Sequence, residues 1–176
     1  MTLTSTLRNT GKAVADRLAI ATGVETDVLD TLKKEHDEVA AMLKKLVDSD
    51  SAPERKKLLQ QIKSALVPHV RAEEKIVYDA ILTVRGGGDK AKTDGEEGYL
   101  EHEMADRMLA KLGKIANVKS PEFTAAAKVL KELVQHHVEE EERNVWADVR
   151  QHFTASQRIA MNAKYEAAKK RVKIPA

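Results

Sequence analysis

Two segments of this chain repeat one another in register. Residues 69–78 read HVRAEEKIVY and residues 137–146 read HVEEEERNVW, so His, Val, two Glu, Val and an aromatic residue coincide without a gap. A second matching pair precedes them, with EHDEVAAMLKKL at residues 35–46 and EHEMADRMLAKL at residues 101–112. The repeat predicts two helix pairs, each with a His on its first helix and His-x-x-x-Glu on its second, related by pseudo-twofold symmetry in one bundle.

Apolar stripes mark the first two of these helices. The first stripe runs from about residue 26 to residue 46, and the second continues up to Gly86-Gly87-Gly88, which predicts a helix end. Pro68 lies inside the second helix, where proline removes a hydrogen bond and clashes with the preceding turn at a cost of roughly 3 kcal/mol. We therefore expect a kink beside His69.

Capping residues mark the other two central helices. Asp94 and Glu97 form a capping box that predicts the start of a third helix, which reaches about residue 116. Ser120-Pro121 predicts an N-cap and a first turn for a fourth helix, which runs to about His152.

Short connections between four central helices predict antiparallel neighbours and hence an all-α fold, an up-down-up-down four-helix bundle with extra N- and C-terminal helices. We expect an N-terminal helical extension over residues 1–25, the bundle over residues 26–152 and a C-terminal helix over residues 153–176. Thr154 and Gln157 predict the cap of the last helix. Only 3% of the residues are aromatic, while Ala, Leu, Val, Lys and Glu dominate, which is typical of long amphipathic helices.

The composition excludes several kinds of site and partner. The chain has no cysteine, so disulfides, thiolate zinc sites and iron–sulfur clusters are excluded, and a metal site must use His and carboxylate ligands. The 30 basic and 28 acidic residues give no electrostatic footprint for nucleic acid. No stretch could span a bilayer, and the N-terminus lacks the apolar segment of a signal peptide. We expect a cytoplasmic monomer or small homo-oligomer that binds neither nucleic acid nor membrane.

The His-x-x-x-Glu spacing places each pair on one helical face. His69 and Glu73 stack one turn apart, as do His137 and Glu141, and both pairs continue apolar stripes that point inward. An unpaired carboxylate in an apolar interior costs several kcal/mol, so two of them beside histidines require a compensating charge. A metal pair would supply it, and a metal-free bundle with a polar core is the alternative.

The donor set narrows the metal. Nitrogen and carboxylate ligands without sulfur suit iron, manganese or zinc, and six inward ligands exceed what one tetrahedral zinc needs, so a dinuclear centre fits better. Ferritin-like sites require a Glu three residues before the ligand His. The residues three positions before the four candidate histidines are Lys33, Leu66, Tyr99 and Val134, so the ferritin-like pattern is not present.

Over about residues 27–152 the arrangement resembles the hemerythrin-like (HHE) family. The resemblance implies a non-haem centre of two iron ions with an oxo or hydroxo bridge, and both carboxylates bridging. Manganese or zinc stays an alternative. The positions that match the family's ligands are His36, His69, Glu73, His102, His137 and Glu141.

Two positions depart from the oxygen-carrying members of that family. Those proteins have a second His one turn after the third-helix His, where this chain has Asp106, and they place the fourth-helix carboxylate one residue later than Glu141. Asp106 is therefore a further candidate metal ligand, or it orients water or His102.

A count of coordination positions carries the functional hypothesis. Two octahedral irons offer about 12 positions, of which the protein and a bridging oxygen fill about 10, so about two stay open. We expect such a centre to bind or react with O2, hydrogen peroxide or nitric oxide under oxidative or nitrosative stress, with a peroxide-decomposing activity of catalase or peroxidase type as one form. The alternatives are an iron or oxygen sensor that signals through a metal-dependent change of shape, metal storage, and iron-centre repair.

Overall fold

A computed structural model describes residues 26–174 of the chain. The predicted N-terminal helix lies outside the described residues. Seven α-helices follow one another between residues 26 and 174, and the described part of the chain contains no strand. They are α1 (Val28–Asp48), α2 (Ala52–Glu73), α3 (Asp79–Thr83), α4 (Gly88–Lys114), α5 (Pro121–Arg143), α6 (Val145–His152) and α7 (Ala155–Lys169), and a π-helical turn, Glu74–Tyr78, joins α2 to α3.

Four long helices surround the core. Helix α1 packs against α2 and α5, and α4 packs against α5 and α2, while α7 lies against α1 and α2. The all-α prediction is confirmed. None of the helices within residues 26–174 is both long enough and apolar enough to cross a membrane.

The core has two apolar clusters, one on each side of a polar layer. On α1, Leu32 belongs to one cluster and Val39 to the other, and His36 lies between them. The order is reversed on α5, where Val134 of the cluster that contains Val39 precedes His137, and the cluster that contains Leu32 resumes at Val145, just beyond that helix. The polar layer is therefore covered above and below by packed aliphatic and aromatic side chains.

Most helix ends follow the predicted capping chemistry. The Ser120 side chain accepts a hydrogen bond from the Phe123 backbone N–H (3.1 Å), and Thr154 and Gln157 form a capping box at the start of α7. The predicted start of the third helix at Asp94 is wrong, because α4 begins at Gly88 and Asp94 pairs with Lys90 inside it. The local pattern at Asp94 yields to continuous helix, which packs onto α3.

The regular helix is interrupted at equivalent places in the two halves. Helix α2 runs unbroken through Pro68, and the π-helical turn follows directly after Glu73. In the second half, Asn144 separates α5 from α6 three residues after Glu141. Because π-helical turns occur preferentially at functional sites, these interruptions draw attention to the carboxylates that precede them.

Candidate metal centre

The six candidate ligands lie in the polar layer between the two apolar clusters, and all of them are buried. They come from four helices: His36 on α1, His69 and Glu73 on α2, His102 on α4, and His137 and Glu141 on α5. The stripe argument for inward-pointing side chains therefore describes their positions correctly. Whether they bind metal stays a prediction.

Their donor atoms form two groups that share one carboxylate. In one group His36, His69 and Glu73 each offer an atom within 4.8 Å of the others, and in the second group Glu73 meets His102 and His137. Glu141 connects the same groups from the other side, because its Oε2 lies 3.4 Å from His36 Nε2 and 3.7 Å from His137 Nε2. Both carboxylates thus lie between two sets of imidazoles, which is the placement that bridging ligands require.

Several of these atoms have no hydrogen-bond partner among the described residues. They are His36 Nε2, both carboxylate oxygens of Glu73 and Oε2 of Glu141. A buried polar atom without a partner costs about 1–3 kcal/mol, and a buried charge costs more. A cation among these atoms would satisfy them together, so the donor set fits a metal centre of nitrogen and oxygen ligands.

Each of the four imidazoles is held from behind by a second carboxylate. The Nδ1 atoms face Glu142 at 3.0 Å (His36), Glu35 at 2.9 Å (His69), Glu74 at 3.3 Å (His102) and Glu101 at 2.7 Å (His137). A carboxylate that accepts a hydrogen bond from Nδ1–H leaves the Nε2 lone pair free for a metal and fixes the orientation of the ring. We call Glu35, Glu74, Glu101 and Glu142 the outer carboxylates.

Every outer carboxylate is the sequence neighbour of a candidate ligand, yet it contacts a ligand on another helix. Glu35 precedes His36 on α1 and contacts His69 on α2, while Glu74 follows Glu73 and contacts His102 on α4. Adjacent residues point in different directions on a helix, so one faces the centre and the other faces the next helix. The Glu-His and Glu-Glu pairs recur in both halves of the repeat, and that recurrence is the sequence signal for these residues.

The electrostatics differ between the two central carboxylates. Burial alone would lower the pKa of His69, but the charges of Glu73 and Glu35 raise it to about 9. Burial would raise the pKa of Glu73, but the opposing charge of His69 holds it well below its ordinary value. Burial and the neighbouring charge of Glu73 raise the pKa of Glu141. Without metal, these shifts favour the charged form of His69 beside Glu73 and the neutral form of Glu141.

Comparison with known proteins agrees with this geometry. The family model described as the hemerythrin HHE cation-binding domain matches residues 27–149.

This chain belongs to the hemerythrin HHE family.

A curated relative, a DNA nickase from Nostoc sp. strain PCC 7120, is 25% identical over 148 residues, which are 84% of this chain and 40% of that protein. The chain thus spans less than half the length of this relative, and the nicking activity is said of that protein alone. No solved structure gives a significant match.

The helix that follows the matched HHE segment contributes to the same centre. On α7, the Tyr165 hydroxyl donates to Glu35 Oε2 at 2.5 Å and lies 2.9 Å from His69 Nδ1, and Lys169 pairs with the other oxygen of Glu35. Burial would raise the pKa of Glu35, but hydrogen bonds from His69, Lys169 and Tyr165 lower it to about 2. Sequence reasoning missed both α7 residues, because α7 has no counterpart in the repeat.

Asp106, the seventh candidate ligand, lies outside the two donor groups of the HHE centre. Its carboxylate pairs with Arg71, and 31% of its side chain is exposed. Arg71 also donates to Glu74 at 2.8 Å, and Glu74 in turn faces His102. These contacts place Asp106 where it supports an outer carboxylate, and its ligation stays a prediction. His136, next to the candidate ligand His137, has an exposed ring 3.8 Å from Glu101.

Two small cavities adjoin the HHE centre on different sides. The first, of about 20 Å³, is enclosed by the four imidazoles and by aliphatic residues such as Val39, Leu66 and Val134. Since one water needs about 10–15 Å³, this apolar cavity has room for one very small molecule. The second, of about 10 Å³, is lined by polar residues that include Glu101, His137 and Glu141, and we call it the polar cavity.

Proposed function

We propose that this HHE domain is a cytoplasmic non-haem di-iron protein with an up-down-up-down bundle, and that it binds or reacts with O2, hydrogen peroxide or nitric oxide. One observation carries the proposal. Six buried donors converge, and the two carboxylates among them lie between two groups of imidazoles. Iron suits this nitrogen and oxygen donor set, and a dinuclear centre uses both shared carboxylates.

The protein's own residues would have three tasks. The outer carboxylates would accept hydrogen bonds from the Nδ1–H groups of the imidazoles and so orient the Nε2 atoms toward the metal. The two apolar clusters exclude bulk water, which strengthens electrostatic interactions within the layer. The apolar cavity limits access to molecules of very few atoms. Bound iron would supply Lewis acidity and one-electron redox chemistry.

Metal content tests the centre directly. Wild type, His69→Ala and His136→Ala are loaded with iron, and iron per chain is measured together with the visible spectrum. We expect about two irons per chain in wild type and in the matched control His136→Ala, whose ring is exposed. His69→Ala should lose at least one iron and the associated absorption. No bound iron in wild type, or one metal that is indifferent to His69, would contradict a di-iron centre.

Reactivity needs a separate assay. Iron-loaded wild type is mixed with hydrogen peroxide and, in a second series, with nitric oxide. The rate at which each reactant disappears is compared with the rate caused by the same amount of free iron. We expect the protein to exceed free iron in at least one series, and His69→Ala to fall to its level. A rate equal to free iron in both series would leave a metal centre without the proposed reactivity.

A metal-dependent sensor is the second candidate, because α7 is bonded to the centre. Glu35 contacts His69 on one side and the α7 residues Tyr165 and Lys169 on the other. If metal loading fixes Glu35, it also stabilises the packing of α7. Limited proteolysis with and without iron tests this function: a sensor loses protection between residues 154 and 174 when iron is removed, whereas a purely catalytic protein shows the same cleavage in both states.

A further inference from the structure

Tyr78 is the one aromatic residue beside the centre whose polar atom is left without a partner among the described residues. Its side chain is fully buried, and its ring stacks on His102 with the centroids 5.4 Å apart. The hydroxyl makes no hydrogen bond within the described part of the chain. Buried tyrosine hydroxyls usually find a partner, so an unpaired one next to a candidate ligand calls for an explanation.

A π-helical turn and a glycine on the facing helix determine the position of the Tyr78 hydroxyl. The π-helical turn Glu74–Tyr78 adds one residue to the turn, so Tyr78, five residues after Glu73, lies near the face that a fourth residue would occupy in a regular helix. On the facing helix, Gly98 leaves room for the phenol. A Cβ atom at Gly98 would lie 2.6 Å from Tyr78 Cζ and 2.7 Å from its hydroxyl oxygen.

The equivalent residue of the other half shows what such a position does. Trp146 follows Glu141 as Tyr78 follows Glu73, and its indole N–H donates to Glu141 Oε1 at 3.2 Å. Tyr78 presents a donor at the matching place, but its hydroxyl has no partner among the described residues, and Tyr78 lines the polar cavity together with Gly98, His137 and Glu141. The two halves thus offer one donor that is bound to a carboxylate and one that is available.

The polar cavity, of about 10 Å³, has room for about one atom of a small ligand that accepts a hydrogen bond. Two of the carboxylates that line it, Asp94 and Glu140, are paired with Lys90 and Arg143, which reduces their repulsion of an incoming group. Glu101 is occupied by His137. A phenol is protonated at neutral pH, so the hydroxyl of Tyr78 can donate into this space.

We propose that Tyr78 donates a hydrogen bond to a small ligand bound at the metal centre from the polar cavity, and so favours ligands of the peroxide and azide type over nitric oxide. The former carry lone pairs on terminal atoms that accept hydrogen bonds, whereas nitric oxide is a poor acceptor. This inference rests on the proposed di-iron function, and it narrows the ligand class of the same centre.

Tyr78→Phe removes the donor and keeps the ring. Oxidised, iron-loaded protein is titrated with sodium azide and reduced protein with nitric oxide, and both titrations are followed by visible absorption. We expect the Kd for azide to rise about tenfold, the usual effect of losing a hydrogen bond to a charged group, while the Kd for nitric oxide stays within about twofold. The azide stretching frequency in the Raman spectrum should also shift in Tyr78→Phe, and it should lose the deuterium sensitivity of the wild-type complex.

Tyr99→Phe is the matched control. The Tyr99 ring lies against Tyr78 with the centroids 5.7 Å apart, but its hydroxyl is bonded to the Glu74 carbonyl and to Asp79, away from the cavity. We expect its azide affinity to equal that of wild type. Gly98→Ala tests the same interaction in a second way. The added Cβ would displace the Tyr78 side chain, although the hydroxyl group itself is not removed. It should weaken azide binding as Tyr78→Phe does.

Three outcomes would overturn the proposal in different ways. Equal azide affinities for wild type and Tyr78→Phe, with two irons bound in each, would mean that the hydroxyl has no ligand to serve. An equal loss of azide and nitric oxide affinity would mean that Phe disturbs the centre generally. A phenolate-to-iron absorption band in wild type without azide, absent from Tyr78→Phe, would make Tyr78 a metal ligand. Absence of iron from wild type would instead refute the underlying function.

Discussion

On the side of the centre that faces α7, Glu35 holds His69 and is itself held by Tyr165 and Lys169, whereas on the opposite side Glu101 holds His137 and faces the exposed ring of His136. The donor types are the same on both sides, and their surroundings are not. The repeat therefore accounts for which residues converge, and a helix outside the repeat makes one side more firmly held.

The two central carboxylates, Glu73 and Glu141, also have different electrostatic surroundings. The charge of His69 lowers the pKa of Glu73, whereas burial and the charge of Glu73 raise the pKa of Glu141, which accepts a hydrogen bond from Trp146. In the metal-free protein the shifts thus favour an ion pair of His69 and Glu73 in one half of the centre and a neutral Glu141 in the other. Metal ligands must be deprotonated, so metal binding would work against the raised pKa values of His69 and Glu141.

The largest expected effect separates Glu73→Gln from Glu141→Gln in the metal-free protein. Glu73→Gln removes one of the two carboxylates that pair with the buried His69, and it should lower the free energy of unfolding by about 3 kcal/mol at pH 6.5. Glu141→Gln retains a neutral group that can still accept from Trp146, and it should stay within about 1 kcal/mol of wild type. Urea unfolding followed by circular dichroism measures both values.

The pH dependence of that difference has a definite sign. The pKa of His69 is raised from its ordinary 6.5 to about 9 in the folded state, so the pair stabilises fully below pH 6.5 and its contribution is lost as the pH rises through 9. The cost of Glu73→Gln should shrink accordingly between these two values. Because the pKa of Glu141 is also raised, Glu141→Gln should gain stability relative to wild type as the pH rises. Equal, pH-independent costs for both variants would contradict this difference between the halves.

The next effect compares Glu35→Ala with Glu101→Ala. Loss of a carboxylate behind a ligand imidazole weakens metal binding by about 10–100-fold. We expect the upper end for Glu35→Ala, because Tyr165 and Lys169 also lose their partner, and the lower end for Glu101→Ala. Competition of each loaded variant with a chromogenic chelator gives the two affinities. If Glu101→Ala were the weaker binder, α7 would not be what makes the two sides unequal.

Tyr165→Phe isolates the contribution of α7 itself. It removes the donor to Glu35 while the ring still packs edge-on to His69, with the centroids 6.2 Å apart. We expect the metal affinity to fall about threefold and the unfolding free energy to fall by about 1 kcal/mol, the usual net worth of one hydrogen bond. Tyr99→Phe, which also loses a partly buried hydrogen bond, should lower the unfolding free energy without changing the metal affinity. A change of affinity in both variants would point to general loosening of the bundle.

The convergence of the four histidines and two central glutamates was predictable because one periodicity governs it. Apolar stripes fix which face of a helix points inward, and residues four apart share that face, so His137 and Glu141 follow from the stripe through Val134. The register with residues 69–78 also chooses them over His136 and Glu140. The structure agrees, since the side chain of His136 is 63% exposed.

The features that sequence reasoning missed have no periodic signal. Tyr165 reaches Glu35 only because α7 packs across α1 and α2, a long-range contact that no local spacing encodes. The π-helical turn ends at Tyr78, which packs closely against Gly98 on α4, and a contact between two separate segments has no local sequence signal. The capping box at Asp94 is a correct local pattern in the wrong place, because the packing of α4 against α3 extends the helix back to Gly88.

The smallest expected effect concerns Asp106, which tests whether the less firmly held side recruits a seventh ligand. Asp106→Asn should leave two irons per chain and change the affinity less than twofold, because Arg71 keeps its bond to Glu74. The Asp106–Arg71 pair is partly exposed on both sides, and such pairs contribute about 0–1 kcal/mol. Arg71→Met, which removes the contacts to Asp106 and Glu74 together, should have a somewhat larger effect on affinity. Loss of iron in Asp106→Asn, with no such loss in Arg71→Met, would show that the carboxylate turns inward when metal binds and that the second half completes its coordination with a residue the first half lacks.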